Sequence, residues 1–279
     1  MNIWAHTLVK NEAKWLWYAV SSVTPYLEKI MIWDTGSTDR TLEVIDALSN
    51  YFPGRIEFKI RPQNSPEEFA LVRQEMLDHT KSDWFLMIDG DEIWWEDSIR
   101  SLTNHIYKIG KTKESIIVPT INLVGDIFHY QDKTSGNYNF GKYNGHYNLR
   151  AVNRDIEGLK SLGKHGIWGW VDKENKMIQD RDENKMDFLN APYLHATNLV
   201  RSDKLSGDLE VAKRKRKLKY EIGVSFPLDF YYPEILFEKR PNIVKSPWET
   251  MTQDFKIRAY METPLRKLKR RFIKSQIGY

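Results

Sequence analysis

Three acidic residues, Asp89, Asp91 and Glu92, lie within one short turn of the sequence. Carboxylates held this close repel one another unless a cation neutralises them. Their oxygen atoms are ligands that Mg²⁺ and Mn²⁺ take in proteins, commonly together with substrate phosphates. The turn directly follows the apolar run at residues 84–88, which predicts a strand buried on both faces. The cluster therefore predicts a divalent metal site at the end of a strand, and the alternative is a solvated acidic turn.

A second polar segment, residues 34–41, also follows a predicted strand and contains Gly36 among small hydroxyl residues. Glycine permits a tight turn, and hydroxyls and backbone amides near a helix N-terminus can hold a nucleotide. The alternative is an ordinary turn that caps a helix. The sequence has no G-x-G-x-x-G and no G-x-x-x-x-G-K-[ST] motif, which argues against a dinucleotide-binding or P-loop protein.

The elements that must position these turns alternate between strand and helix over the first 95 residues. The predicted strands are residues 3–9, 29–33, 55–60 and 84–88. Such alternation predicts right-handed crossovers and a largely parallel sheet. Ligands bind beyond the carboxyl ends of strands in such sheets. The polar segments that lie at those ends are residues 10–12, 34–40 and 89–92.

The second half of the sequence has a weaker pattern. It predicts strands at residues 115–123 and 149–152 and a basic helix at residues 203–220. Residues 125–147 are rich in glycine, asparagine and aromatic residues. They predict a long loop that is either an acceptor platform or a mobile lid.

The composition indicates a soluble chain with a full core. Of the 279 residues, 41% are hydrophobic and 29% are charged, and none is cysteine. The lack of cysteine excludes disulfide scaffolds and thiolate chemistry. No apolar run reaches the length of a membrane span, and the first residues lack the pattern of a signal peptide. We therefore expect a cytoplasmic protein.

The net charge of +4 conceals two basic patches, each with six basic residues and no acid, at residues 213–219 and 266–274. Without these twelve, 30 basic residues face 38 acidic ones. The patches suit a polyanion or an anionic membrane, or they are solvated helix faces. In a helix predicted to start at Pro264, the basic residues of the second patch surround a short apolar stripe. The pattern predicts either peripheral contact with the inner face of a membrane or a stripe that packs onto the catalytic domain. The stripe consists of Leu265, Leu268, Phe272 and Ile273.

The ordered segments of the first half resemble the family 2 glycosyltransferases, which have the GT-A fold. The matching residues are Leu8-Val9-Lys10-Asn11-Glu12, residues 32–41, Arg73 and residues 84–92. The resemblance implies an α/β fold with a Rossmann-like, mostly parallel central sheet flanked by helices, followed by a helical basic C-terminal region. We expect a catalytic domain at residues 1–200, with a nucleotide-sugar-binding half at 1–95 and an acceptor-binding half at 96–200. Residues 201–279 would be a helical extension and not an independent domain.

The resemblance also implies a UDP- or GDP-sugar donor and Mn²⁺ or Mg²⁺. It assigns the base to Asp34, and the ribose and the metal to Asp89 and Asp91. His195 lies in a context where many relatives have a histidine that completes the metal site, although it is equally compatible with a core histidine. The donor-binding residues so implied are Val9, Asn11, Glu12, Asp34, Arg73, Asp89 and Gly90.

An inverting displacement needs a carboxylate that takes the proton of the acceptor hydroxyl, while the metal stabilises the leaving diphosphate. The Glu-Asp pair that relatives often use is absent from the second half. Residues 168–174 weakly resemble a Trp-Gly-rich acidic segment of some GT-A galactosyltransferases, which makes Asp172 the candidate base, followed by Glu174. Further candidates are Asp155 and Glu157 as bases and His165 as a polar contact near the acceptor.

Trp168 and Trp170 either form a wall that stacks against a sugar or belong to the core. Taken together, the segments predict an inverting, metal-dependent glycosyltransferase that acts on a hydroxyl of a glycan or a lipid-linked acceptor. One alternative is a sugar nucleotidyltransferase, whose glycine-rich N-terminal signature is absent. Another is a non-catalytic nucleic-acid-binding protein that uses the basic patches, but the acidic remainder of the chain argues against it. We therefore expect no nucleic acid partner.

Overall fold

The computed structural model describes residues 1–135, 138–140, 143–211 and 214–272. In these ranges the strands are β1 (Ile3–Val9), β2 (Lys29–Asp34), β3 (Ile56–Ile60), β4 (Trp84–Met87), β5 (Glu92–Trp94), β6 (Ser115–Val124), β7 (Asp126–Tyr130), β8 (Tyr138–Phe140), β9 (Tyr143–Gly145), β10 (Tyr147–Asn153), β11 (Lys160–Leu162), β12 (Gly169–Val171), β13 (Met186–Phe188), β14 (Tyr193–Asn198) and β15 (Val224–Ser225). The helices are α1 (Leu16–Val23), α2 (Thr41–Tyr51), α3 (Phe69–His79), α4 (Glu96–Ile109), α5 (Leu205–Glu210), α6 (Arg214–Lys217) and α7 (Gln253–Phe272).

Eleven of the described strands form one mixed sheet. Four parallel strands lie side by side in the order β4, β1, β2 and β3. The antiparallel strand β10 lies next to β4 and pairs with β6 on its other side. Strand β14 runs parallel to β6 and antiparallel to β5, and its register places His195 beside Glu92. The sheet therefore brings two strands of the second half to the carboxyl ends of the parallel strands.

Apolar contacts cover both faces of the parallel strands. On one face Ile3 and Leu86 belong to the main core, together with residues of α1, α2 and α4. On the opposite face Trp4, Met31 and Trp33 pack with residues of α3. All four residues of β4 are buried, as its continuous apolar sequence predicted. Each large apolar side chain contributes about 1.5–3 kcal/mol on burial, and this core fixes where the strands end.

The segment at residues 125–147 contains strands where the sequence predicted a loop. Strand β7 pairs with β6 across a turn at Gly125, and β8 pairs with β9. Gly125 has a φ of 80°, and a β-carbon there would lie 2.5 Å from the Sδ atom of Met251, so this turn requires glycine. Backbone pairing orders the described parts of the segment despite its weak periodicity. Its residues 136–137 and 141–142 lie outside the described ranges.

The basic helix predicted at residues 203–220 is instead two short helices, α5 and α6. Val211 ends α5 in an extended conformation, and Gly207 weakens that helix from within. Arg214 of α6 is buried and donates to the carbonyl oxygens of Lys10 and Asn11 at 2.9 and 2.6 Å. These contacts with the first loop, and not helix propensity, decide the path of the segment. Lys213, part of the first basic patch, lies outside the described residues.

The C-terminal helix α7 begins at Gln253, well before the predicted start at Pro264, which is exposed inside the helix. Ala259 and Thr263 are buried, and packing of this inward face outweighs the cost of the proline. Ile273 and Lys274, which the sequence placed in this helix, lie outside the described residues. Among the described residues, no helix has both the length and the apolar character needed to cross a membrane.

Candidate active site

A cleft of about 740 Å³ opens at the carboxyl ends of β1, β2 and β4. Residues after these strands line one side, among them Lys10, Glu12 and Asp89. Side chains of β10 and β14 line the other side, and the segment from Arg201 to Lys219 contributes to it as well. The cleft therefore unites the turns that the sequence indicated with residues from much later in the chain.

Asn11 joins the first two turns. Its φ of 54° lies in the left-handed region, which asparagine tolerates better than most residues. Its backbone amide donates to Ser37 Oγ at 2.8 Å, and its Oδ1 accepts from the amide of Thr38 at 2.7 Å. These bonds hold the loop after β1 against the turn after β2, so Asn11 positions both.

Asp34 is buried, and its carboxylate stabilises the turn that follows it. Its Oδ1 accepts from the amides of Gly36 and Ser37, both at 2.9 Å. The neighbouring Thr35, and not Asp34, is among the residues that line the cleft. Val9 also lines it, and its carbonyl oxygen accepts from the amide and the hydroxyl of Thr35, both at 2.9 Å. Asp34 therefore lies behind Val9 and Thr35, which line the cleft. The sequence had grouped it with the residues that bind the donor.

Gly90 lies where the first loop and the acidic turn approach each other. A β-carbon at this position would lie 3.1 Å from Glu12 Cγ and 3.2 Å from Val9 Cγ1. These contacts are tight, so glycine lets the two turns pack closely at the floor of the cleft.

The acidic turn meets cations that come from elsewhere in the chain. Asp89 lies 3.6 Å from Arg73 Nη2 and 3.5 Å from Arg150 Nη2. Burial would raise the pKa of Asp89, but Arg150 and Arg73 hold it below its ordinary value. Asp91 Oδ2 accepts from Arg201 Nη1 at 2.9 Å, and His195 Nε2 lies 3.5 Å away. Burial opposes ionisation of Asp91 too, but Arg201 and His195 keep its pKa low.

Arg150 is a residue of the site that the sequence interpretation missed. It is buried in β10, where its Nη2 donates to Glu92 Oε1 and its Nε donates to Tyr193 Oη at 3.0 Å. Burial raises the pKa of Glu92 well above its ordinary value, although Arg150 opposes this. The available signal was an arginine between Leu149 and Ala151 in an otherwise apolar strand.

Glu12 links the first loop to the segment after β14. Its Oε1 accepts from Arg201 Nη1 at 3.2 Å and from Arg214 Nη2 at 2.5 Å. Burial raises the pKa of Glu12 to about 7, against the effect of both arginines. The basic patch at residues 213–219 is therefore not only a solvated surface, because Arg214, Lys217 and Lys219 line the cleft.

The residues of the acidic turn fit a divalent cation. Potential ligand atoms of Asp89, Glu92 and His195 lie within 4.8 Å of one another. Asp91 Oδ1 is buried without a hydrogen-bond partner among the described residues, and a cation would satisfy it. Burial lowers the pKa of His195, although Asp91 opposes this, which favours the neutral imidazole that binds metals. Carboxylate oxygens with one imidazole nitrogen suit Mn²⁺ or Mg²⁺, and Glu92, the third residue of the predicted acidic cluster, is a potential ligand beside Asp89 and His195.

An aromatic wall borders the cleft beside Arg73. The Arg73 guanidinium lies 5.5 Å from the ring centre of Phe69 and 5.3 Å from that of Trp168. His165 also lines the cleft, and its ring lies 5.0 Å from Phe69. Trp170, by contrast, is buried in the core, where its Nε1 lies 3.0 Å from Met87 Sδ. Of the two tryptophans, Trp168 alone faces the cleft.

The structure does not bring Asp172 and Glu174 to the cleft lining. The Asp172 Oδ1 atom accepts from the amides of Glu174 and Lys176 at 2.9 and 3.0 Å, and its Oδ2 pairs with Arg181. Burial opposes ionisation of Asp172, but these bonds hold its pKa below the ordinary value. A carboxylate engaged in this way is a weak proton acceptor. The other two carboxylates considered also pair with lysines away from the cleft, Asp155 with Lys111 and Glu157 with Lys173.

Four adjacent parallel strands with an acidic turn and a cation-lined cleft at their carboxyl ends are typical of the GT-A class of glycosyltransferases. The sequence model described as "Glycosyl transferase family 2" matches residues 6–206, so the chain belongs to this family of glycosyltransferases. This confirms the family that the motifs of the first half indicated, and with it the α/β GT-A fold.

Among solved structures, the chain is similar to S. aureus TarS 1-349 in complex with UDP, with 13% identity and a TM-score of 0.46 over 78% of this chain and 70% of that chain. It spans only 42% of the longer S. aureus TarS chain, with 14% identity and a TM-score of 0.44 over 78% of this chain. It is also similar to glucosyl-3-phosphoglycerate synthase from Mycobacterium tuberculosis in complex with Mn²⁺, UDP and phosphoglyceric acid, with 16% identity and a TM-score of 0.44 over 70% of each chain. No curated protein sequence matches the chain.

Proposed function

We propose that the chain is an inverting, metal-dependent glycosyltransferase that moves a sugar from a UDP- or GDP-sugar to a hydroxyl of a glycan or glycolipid. One observation carries this proposal: Asp89 and His195 line a single cleft together with several guanidinium groups, and the buried Asp91 lies 3.5 Å behind His195 Nε2. Those groups belong to Arg73, Arg150 and Arg201. Guanidinium groups bind phosphate oxygens in bidentate geometry, so the cleft suits a diphosphate accompanied by a cation.

A divalent metal held by Asp89, Asp91 and His195 would stabilise the negative charge of the leaving diphosphate. Residues of the chain itself neutralise the phosphates, exclude water and hold the site rigid. Arg73 and Arg150 neutralise phosphate oxygens, and the wall of Phe69 and Trp168 excludes water from one side of the donor. The packing around Gly90 keeps the acidic turn rigid, which holds its carboxylates in place before the donor binds.

Thermal-shift measurements with UDP and GDP, each with Mn²⁺ or with a chelator, test this proposal. We expect one nucleotide diphosphate to raise the melting temperature by mass action, and more so with Mn²⁺. Asp91→Asn should remove the part that depends on Mn²⁺. Asp97→Asn is the matched control, because the Asp97 side chain is 91% exposed on α4. No shift with any nucleotide diphosphate, or an equal metal effect in Asp91→Asn, would overturn the proposal.

The outward face of α7 supports a location at an anionic membrane surface, where a lipid-linked acceptor would lie. A helix on a protein surface normally presents polar residues to water, but five large apolar side chains of α7 are each more than half exposed. They are Ile257, Tyr260, Met261, Leu265 and Leu268. The helix carries seven basic and two acidic residues, and this charge complements anionic headgroups.

Sedimentation with vesicles of phosphatidylcholine and phosphatidylserine tests this location. The intact chain should pellet with the vesicles at low salt, and Leu265→Gln/Leu268→Gln should not. Leu71→Gln, at an exposed apolar residue of α3, is the control and should behave like the parent chain. Equal sedimentation of the double variant and its parent would contradict membrane contact. If the parent chain and the control self-associate and the double variant does not, this face of α7 instead binds a second copy of the chain.

A further inference from the structure

Lys219 lines the cleft together with three side-chain amides, those of Asn122, Gln131 and Asn148. The backbone amide of Gln131 donates to the carbonyl oxygen of Asn122 at 2.8 Å, and the Lys219 Nζ donates to Gln131 Oε1 at 3.4 Å. Asn148, which also lines the cleft, donates to Tyr193 Oη at 2.6 Å. These residues come from β6, from the end of β7, from β10 and from the segment after α6, so they meet only in the folded chain.

Positive charge is in excess around Lys219. The charged groups that act most strongly on it are Arg270, Glu221, Arg266 and Lys217. The carboxylate of Glu221 is paired with Arg270, because two nitrogens of Arg270 donate to it, both at 2.6 Å. Arg266 pairs with Glu262 at 2.7 Å. Among the described residues no carboxylate forms an ion pair with Lys219, although Lys219 is half-buried and lines an open cleft.

The cations beside the acidic turn differ from Lys219 in this respect. Arg150 pairs with Glu92, and Arg201 pairs with Asp91 and Glu12. The charges of Asp91 and Asp89 act on Lys217, whereas the carboxylate that acts most strongly on Lys219 is Glu221. Lys219 therefore belongs to a different part of the cleft from the one that suits the donor diphosphate.

We propose that Lys219, with Gln131 beside it, binds an anionic group, a phosphate or a carboxylate, on the acceptor substrate. The assignment of this anion to the acceptor rests on the proposed function. An ammonium group that is half-buried without an ion-pair partner favours an anionic ligand, because the ligand compensates its lost hydration. The side-chain amides of Gln131 and Asn122 are held in place by Glu221 at 3.5 Å and by His146 at 2.9 Å, and they make this part of the cleft polar. The acceptor would then carry a negative charge close to the hydroxyl that receives the sugar.

Titration calorimetry on the full chain, saturated with UDP and Mg²⁺, tests the site with three probes. The probes are sn-glycerol 3-phosphate, glycerate and, as the neutral control, glycerol. We expect an anionic probe to bind and glycerol not to bind. Tighter binding of sn-glycerol 3-phosphate indicates a phosphate site, and tighter binding of glycerate indicates a carboxylate site. Lys219→Gln should raise the Kd of the anionic probe about tenfold or more, while Lys219→Arg should retain most of the affinity. Lys108→Gln, at an exposed lysine of α4, should change nothing.

The outcomes separate the two proposals. If UDP binds but Lys219→Gln binds the anionic probe as tightly as the parent chain, the anion site is overturned and the proposed function stands. If Lys219→Gln weakens UDP as much as the probe, Lys219 belongs to the donor site, and the anion site is again overturned. If neither UDP nor GDP binds but the probe still depends on Lys219, the anion site stands and the proposed function fails. Equal binding of glycerol and the anions would also overturn the site.

Discussion

The two sides of the cleft differ in how they are built. The strand-end side, residues 9–12, 34–38 and 89–92, consists of turns that directly follow parallel strands. The opposite wall, residues 148–150, 195–201 and 214–219, comes from an antiparallel strand, a late strand and a basic segment. The strand-end side contributes carboxylates and the opposite wall contributes most of the cations. Each side alone would hold mostly charges of one sign close together, so the charges of each side stabilise the other.

The contacts between the two sides span long stretches of sequence. Asp91 and Arg201 are 110 residues apart, and Glu12 and Arg214 are 202 residues apart. Turns after apolar strands are local patterns, whereas the partners of these carboxylates depend on strand order and register. Local patterns in a sequence of this kind therefore predict only the strand-end side of the site. Variants on the opposite wall are the stronger test of the structure.

The largest expected effect comes from the buried pair on the opposite wall. Arg150→Met leaves the carboxylate of Glu92 buried without its cation, and the free energy of unfolding should fall by about 3–5 kcal/mol. Urea denaturation measures the loss. The double variant Arg150→Met/Glu92→Gln removes both charges and should recover most of the stability. Equal losses in the single and double variants would show that the two groups are not paired.

The next effect tests the strand-end side. Asp91→Asn should lower the rate of UDP release from a UDP-sugar about 10²–10³-fold, the range seen when one electrostatic contact to a transition state is lost. Its far-UV circular dichroism should match that of the parent chain. Full activity in this variant, or in the parent chain with excess chelator, would break the assignment of a metal to the acidic turn.

Asp172→Asn tests whether Asp172 is the general base, as the sequence predicted, or a residue that stabilises a turn, as its bonds in the structure indicate. Because the carboxylate stabilises a turn and pairs with Arg181, we expect unfolding to become easier by about 1–3 kcal/mol. Turnover per folded molecule should change little. A drop of about 10²-fold in turnover at unchanged stability would instead support Asp172 as the general base. Glu174→Gln, measured in parallel, would detect a base two residues further along.

A smaller effect concerns the pH dependence of the proposed anion site. Burial lowers the pKa of Lys219, and with the effects of Arg270, Arg266 and Lys217, which Glu221 opposes, it is about 8. The ammonium form binds an anion, so affinity should be full well below pH 8 and fall as the pH rises through it. Between pH 7 and pH 9 the Kd of sn-glycerol 3-phosphate should rise about tenfold. A chain with Lys219→Arg should show no such rise, and an equal rise would assign the titration to another group.

The smallest expected effect concerns the aromatic wall. Trp168→Ala removes one of the two rings that contact Arg73, and a contact of this type contributes about 0.5–2 kcal/mol. The Kd for UDP should therefore rise several-fold. Leu162→Ala, at an exposed apolar residue of β11, is the control. Unchanged UDP binding in Trp168→Ala would place the donor away from this wall.

The first half of the fold was predictable because its information is local. The apolar runs that predicted strands appear as β1 to β4, and the family that their turns indicated is confirmed. The predictions failed where long-range contacts decide the backbone. Strand pairing orders part of residues 125–147, the contacts of Arg214 divide the basic helix, and packing at Ala259 starts α7 before Pro264.

The sequence by itself determined the order of strands and helices in the first half and the acidic turn after β4, because residue type and spacing specify them within a few positions. The tertiary structure alone decided which charges meet. Strand β10 lies antiparallel to β4 and so carries Arg150 to Glu92, and the register of β14 sets His195 beside the same turn. The physical reason is that a buried carboxylate needs a cation within a few ångströms. Separation along the sequence does not determine which cation the fold places there.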